Sequence, residues 1–207
     1  DRARLLSALI MIGDHAGARE AGLEALALAA DSGRGADLMP YLHLVDADAA
    51  LKLANLLLAQ PNIPRITLYQ AHRALLYSGK TEEAARVAAL YGRRERTPDF
   101  VAMVEIRQAC AEGRTDDADR IYEDLLASKA AADGPASHWL LLQTLGRTAD
   151  AADLIRGLDE GVGLFALSTY LTYTHFDPSP FPNLTRVLEA QGINRPPPVD
   201  APFFCRR

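Results

Sequence analysis

The sequence predicts an all-α fold, an α-solenoid of stacked antiparallel helix hairpins. Three observations predict it. Ala and Leu dominate the 49% of residues that are apolar, while aromatics reach only 7%. That bias suits close helix-on-helix packing, because Ala loses no side-chain entropy in a helix and lets backbones approach. The β-branched and aromatic residues with regular turn signals that a β-sandwich needs are not the pattern of this chain. Finally, one local pattern recurs, a Gly followed five residues later by an Ala, at Gly13–Ala18, Gly79–Ala84, Gly113–Ala118 and Gly146–Ala151.

The spacing of this pattern defines a repeat. Gly113 to Gly146 is 33 residues, Gly79 to Gly113 is 34, and Gly13 to Gly79 is 66, or twice 33. A fifth member is therefore expected near position 46, where the apolar Leu44-Val45 precedes Asp46 and an Ala-rich stretch. Each Gly supplies the left-handed conformation that ends a first helix. Thr81, Thr115 and Thr148, two residues later, are expected N-caps of the second helices. Acidic residues then fall in the first turn, at Glu82, Glu83, Asp116, Asp117 and Asp150, where they complement the helix dipole. The Ala lets the second helix pack tightly on the first. One hairpin cannot bury its own apolar faces, but a stack of hairpins buries a continuous core.

In chain order the expected helices are 2–12 and 16–30 in unit one, and 36–44 and 47–59 in unit two, with Pro40 in a first turn. The linker Ser32-Gly33-Arg34-Gly35 separates these units, and Pro61 to Pro64 ends the second. Unit three takes 65–78 and 81–91, unit four 100–111 and 115–131, and unit five 136–145 and 148–158, after a break at Asp133-Gly134-Pro135. Residues 161–173 are an apolar helix expected to pack on the last repeat, and 184–191 a final helix stopped by Gly192. Residues 193–207 carry four prolines and should be extended. Phe203 and Phe204 give this tail an apolar anchor that suits it to fill the concave groove as an intramolecular ligand. The organisation is thus 1–160 repeats, 161–192 capping helices and 193–207 tail.

A period of 33–34 residues with Gly-polar-x-x-x-Ala between two helices resembles the tetratricopeptide repeat. The match is good in second helices and poor in first helices, where the family's early bulky aromatic and later small residue are Leu68 and His72, or Ala102 and Ile106. The resemblance implies a right-handed superhelix whose first helices line a concave face that takes extended peptides or partner helices. Carried over by position, the binding residues it implies are Tyr69, Arg73, Leu76, Tyr77, Met103, Arg107 and Cys110. The run from Phe176 through Leu184, with its following Leu-Glu-Ala-Gln-Gly-Ile helix, is similar to the C-terminus of bacterial multidomain proteins. Those carry such repeats behind a class III nucleotide cyclase or a winged-helix domain.

Two function classes follow. One is a protein–protein interaction scaffold for a peptide or partner surface. The alternative is the regulatory C-terminal region of a larger bacterial signalling protein whose active domain lies upstream. A homodimer through unit one or residues 161–173 is a further expectation. The chain opens in helix with no initiator Met, so it is expected to be a piece of a longer protein. The net charge of −5 argues against nucleic acid as a partner. No apolar run has the length of a membrane span. Cys110 and Cys205, with no metal or disulfide spacing, are expected to be free thiols in a reducing, cytoplasmic compartment.

The search for chemistry leaves no enzyme and no cofactor in view. His15, His43, His72, His138 and His175 show no i, i+4 metal pair. Asp116, Asp117 and Asp119 have helical spacing and no calcium-loop Gly. Gly79-Lys80-Thr81 mimics the end of a phosphate loop but lacks its first Gly and a preceding strand. Trp139 is expected to pack between units four and five, or else to anchor a partner.

Overall fold

A computed structural model describes residues 2–32, 35–128, 135–193, 197–198 and 200–206. Among these the chain is all-helical, with twelve α-helices. They are α1 (Arg2–Met11), α2 (His15–Ser32), α3 (Met39–Val45), α4 (Ala47–Leu58), α5 (Arg65–Tyr77), α6 (Thr81–Arg94), α7 (Pro98–Ala111), α8 (Thr115–Ala127), α9 (Pro135–Thr144), α10 (Thr148–Ile155), α11 (Gly163–Ser168) and α12 (Pro182–Ala190). The linker residues 33–34, the expected end of α8 at 129–131, the break at 133–134 and tail positions 194–196 and 199 lie outside the described residues.

Successive helices pair as hairpins: α1 with α2, α3 with α4, α5 with α6, α7 with α8 and α9 with α10. The crossing of each pair is set by an alanine. Ala18, Ala50, Ala84, Ala118 and Ala151 are all 0% exposed. A larger side chain at any of them would push the two backbones apart. Ala50 lies four residues after Asp46, as Ala84 lies four after Lys80, so Val45 takes the place that glycine holds in the other units.

The turns differ from expectation in one respect. The glycines are left-handed as expected, with φ from +67° to +79° at Gly13, Gly79, Gly113 and Gly146. The residue after each reaches back across the first helix's end, as in Lys80 N–H to the Leu75 carbonyl at 2.9 Å and Arg114 N–H to Ala109 at 2.8 Å. That motif satisfies the orphan carbonyls and moves the N-cap onto Lys80, Arg114 and Arg147. Thr81, Thr115 and Thr148 are therefore the first residues inside their helices, and no side-chain cap bond forms there. Elsewhere acidic side chains do cap. Asp46 Oδ1 accepts from Ala49 N–H at 2.9 Å, and Asp14 Oδ1 from Gly17 N–H at 2.9 Å. Asp159 caps α12 from a distance, accepting from Asn183 and Leu184 N–H at 2.9 and 2.8 Å.

Hairpins associate through their first helices, where α1 meets α3, α3 meets α5, α5 meets α7 and α7 meets α9, and through second helices that pack on the next first helix, α2 on α3, α4 on α5 and α6 on α7. The C-terminal segment then folds back over them. The expected helix at 161–173 is broken into α11 and a 3-10 turn, Thr169–Thr172, which reaches α1. Trp139 is core, in one buried cluster with residues of α7, α8 and α10, and its ring contacts are made with this segment. Its indole stacks on His175 at 5.3 Å and meets Tyr170, Tyr173 and Phe176. Phe176 in turn stacks on Phe181 at 5.5 Å, so the Pro-rich turn is a folded part of the core.

The tail, expected to be extended, instead turns at Ala201–Phe204, where Phe204 N–H donates to the Ala201 carbonyl at 2.9 Å, and it docks on the first helices. Cys205 N–H donates to the Thr144 carbonyl at the end of α9, at 2.8 Å. Phe203 is 2% exposed, in a cluster with Leu68, Leu75, Leu76 and Val104 of α5 and α7. Cys110 and Cys205 are joined in a disulfide across 95 residues of sequence, with Cα atoms 4.6 Å apart. The expected free thiols are therefore corrected, and the premise for a reducing compartment goes with them. Two isolated cysteines carried no pairing signal in sequence, because only the docked tail brings them together.

Three substitutions test these assignments by urea denaturation. Gly113→Ala meets no neighbouring atom but must keep φ near +74°, so it should destabilise by about 1 kcal/mol. Gly92→Ala, within α6 and equally unobstructed, should instead stabilise by about 0.5–1 kcal/mol. Cys205→Ser, which opens a loop of 95 residues, should cost about 2–4 kcal/mol.

Candidate functional site

Side chains spaced four apart share a helix face. On α5 that spacing brings Tyr69, Arg73 and Tyr77 to one face, which meets Arg107 of α7. Between these helices and the folded-back C-terminal segment lies a cavity of about 350 Å³. Tyr69, Arg73 and Arg107 line one side, and Tyr173, His175, Phe203 and Phe204 the other. Ile66 and Phe100, both exposed, belong to the same lining.

Arg107 is the central group. Its side chain is buried, and its Nη2 donates to Tyr69 Oη at 2.8 Å. The guanidinium lies over the Tyr69 ring, 4.7 Å from the centroid, and over Phe203 at 5.5 Å. Phe203 meets Tyr77 edge-on at 5.0 Å, and Tyr77 stacks against His43. Arg107 Nε and Nη1 have no hydrogen-bond partner, nor does Arg73 Nε. Arg73 Nη1 reaches the Gln70 amide oxygen at 3.4 Å, and Arg73 also hydrogen-bonds the Tyr77 hydroxyl. Neither arginine forms an ion pair among the described residues, and no carboxylate lines the cavity.

The magnitudes decide how to read this. A buried charge without a counter-charge costs several kcal/mol even after relaxation. A cation–π contact returns about 0.5–2 kcal/mol, and a single hydrogen bond about 1 kcal/mol. The aromatic sandwich therefore offsets only part of the cost. Burial lowers the basicity of Arg107; Tyr69 opposes that shift and the like charge of Arg73 adds to it.

Two histidines back the arginines, and both are neutral. His72 Nε2 faces Gln108 Oε1 at 3.0 Å, while Gln108 Nε2 donates to the Thr81 carbonyl and to Glu112. The amide oxygen can only accept, so the His72 proton sits on Nε2 and leaves Nδ1 a bare lone pair. His43 Nδ1 likewise donates to the Met39 carbonyl at 3.0 Å. Burial lowers both pKa values to about 3. Arg73 pushes further on His43, and Arg107 and then Arg73 on His72, against the hydrogen bonds that favour the charged rings. Arg73 and Arg107 thus supply the cavity's positive charge.

The residues that the tetratricopeptide resemblance implied divide into two groups. Tyr69, Arg73 and Arg107 meet at the cavity, and Tyr77 supports it through Phe203. Leu76 and Met103 point into the core instead, and Cys110 is bound in the disulfide. Those three are corrected as binding residues. Tyr41, Gln70, Phe100 and Tyr173 belong to the lining and were not singled out in sequence. Their signal is weak, because Tyr173 arrives from the end of a broken helix and Tyr41 from a short one. Among the described residues no group of three His, Cys, Asp or Glu could hold a metal, and no helix is long and apolar enough to cross a membrane.

The histidines predict an acid limb of stability. With folded pKa values near 3 and unfolded values near 6.5, the unfolded chain binds more protons between those limits. Their contribution is complete above pH ~6.5 and is lost as pH falls towards 3, by up to about 1.4 kcal/mol per pH unit for each ring. Urea midpoints at pH 7.5, 5.5 and 4.5 should show this fall, and His72→Gln should reduce its slope by about half. No protein-family model matches the chain, and neither a curated protein nor a solved structure matches it.

Proposed function

We propose that the chain is a tetratricopeptide-like α-solenoid of five hairpins that works as a protein-interaction scaffold, taking an extended peptide or partner surface along its inner face. The observation that carries this reading is the tail. A segment of the chain, turned at Ala201–Phe204, already lies on the first helices. It inserts Phe203 between Tyr77 and Arg107 and bonds its backbone to the end of α9. A surface of aromatic rings and guanidinium groups that seats one segment has the chemistry to seat another. In this reading the tail is the resident occupant, and a partner's segment exchanges with it. The site is read as binding because its lining sets two guanidinium groups among aromatic rings.

The test frees the tail and offers it back. The full chain carrying Phe203→Ala and Cys205→Ser is titrated against a fluorescent synthetic peptide of residues 197–206. Circular dichroism checks that the variant is folded. The peptide should bind the variant at least about tenfold more tightly than the unaltered chain, whose site is filled. A folded variant that fails to take the peptide would overturn the proposal.

A further inference from the structure

We propose that the cavity between α5, α7 and the docked tail is a binding site for a small organic oxyanion, a carboxylate or phosphate head carried on a flat apolar body. This goes beyond the scaffold reading and does not depend on it, since the tail stays in place as one wall of the site.

Four observations carry the proposal. The first is Arg107, only 3% exposed, with Nε and Nη1 aimed into protein without any acceptor. Buried guanidinium donors are met in folded proteins, so a set this incomplete marks a place where another molecule supplies the oxygens. The second is Arg73 on the same cavity, whose Nε also lacks a partner. Two like charges brought to one enclosed space repel, and an anion between them reverses that repulsion. The third is what the chain withholds. It carries 27 acidic residues against 22 basic ones, yet among the described residues none of the acids lines this cavity, and Asp200 acts on it only through Tyr77. On the outer surface, by contrast, Arg114, Arg120, Arg147 and Arg156 all have carboxylate partners.

The fourth observation is shape. The walls are the rings of Tyr41, Tyr69, Phe100, Tyr173, Phe203 and Phe204. Such walls suit a flat body beneath an anionic head. A volume of about 350 Å³ lies at the small end of the range for small-molecule sites. It accommodates a compact ligand, while an extended peptide would have to displace the tail. Carboxylate and phosphate share the recognition chemistry here, an oxyanion that accepts from several guanidinium N–H groups at once.

Calorimetry on the full, unaltered chain separates these cases. The probes are benzoate, phenyl phosphate, inorganic phosphate and the neutral benzamide. Benzoate or phenyl phosphate should bind at one site per chain, more weakly as salt rises, and benzamide should bind ~30-fold more weakly or not at all. Whichever of the two aromatic anions binds more tightly identifies the head group. Binding by inorganic phosphate alone, with neither aromatic anion, would overturn the flat body and with it the proposal. Arg107→Met should lose ~30-fold or more in affinity while the free protein's Tm does not fall, because the variant removes a buried charge that the chain leaves unpaired. A purely structural arginine predicts the reverse, a lower Tm and unchanged binding. Should Arg107→Met fail to fold, Arg73→Gln at the half-buried edge must still weaken binding by about tenfold. Equal binding of benzoate and benzamide, or binding of neither anion, sinks the idea. Either result would leave the peptide-exchange experiment standing, and failure of that experiment would leave this one standing.

Discussion

A two-helix hairpin exposes an apolar face on each side, and only a neighbouring hairpin can cover it. The five alanines at the helix crossings let this chain meet that constraint. With no side chain beyond Cβ between paired helices, the second helix of each pair lies close against the first, and larger residues of both point outward to the next pair. Leu68, Ala71 and Leu75 of α5 and Ile106 and Ala109 of α7 are almost wholly buried as a result. The first helices are thereby brought side by side, and an inner surface exists for the site to occupy. At the α9–α10 hairpin the aromatic segment around Tyr170, Phe176 and Phe181 covers Trp139.

The parts legible in the sequence are those encoded by local chemistry. Left-handed glycines and buried alanines each act within a few residues, so their spacing revealed the hairpins and nearly every helix. The threonine caps were misread for a local reason too. The turn after each glycine consumes one more residue than a simple cap requires, which places Lys80, Arg114 and Arg147 at the boundary. Within the site, the four-residue spacing of Tyr69, Arg73 and Tyr77 was readable as one face. Leu76 and Met103 were not separable from that face without knowing where neighbouring helices sit, since rotation by one residue turns a helix position by about 100°.

What the sequence hid is non-local. The disulfide joins residues 95 apart, and the tail's docking depends on a groove assembled from α5, α7 and α9. Phe203 and Phe204 showed that the tail had something to bury, but only the folded inner face shows where. The break of the apolar stretch 161–173 is of the same kind. Intrinsic pattern favours one helix there, while the need to cover Trp139 and to reach α1 turns the chain after Ser168.

The charge arrangement follows from these packing facts and gives the site its character. A chain with more acids than bases could have placed a carboxylate beside Arg107, and a lone buried cation is the costlier choice. The cation is tolerated because its surroundings are over-determined. The α5–α7 contact holds the backbone, Tyr69 and Phe203 hold the guanidinium plane, and the disulfide holds Phe203's segment in place. His43 and His72 stay neutral behind it and do not add further charge. Local cost of this kind persists where the rest of the fold can carry it, and such places are where proteins meet other molecules. The same packing that makes the hairpins stack therefore also permits an incompletely satisfied arginine at the centre of the inner face.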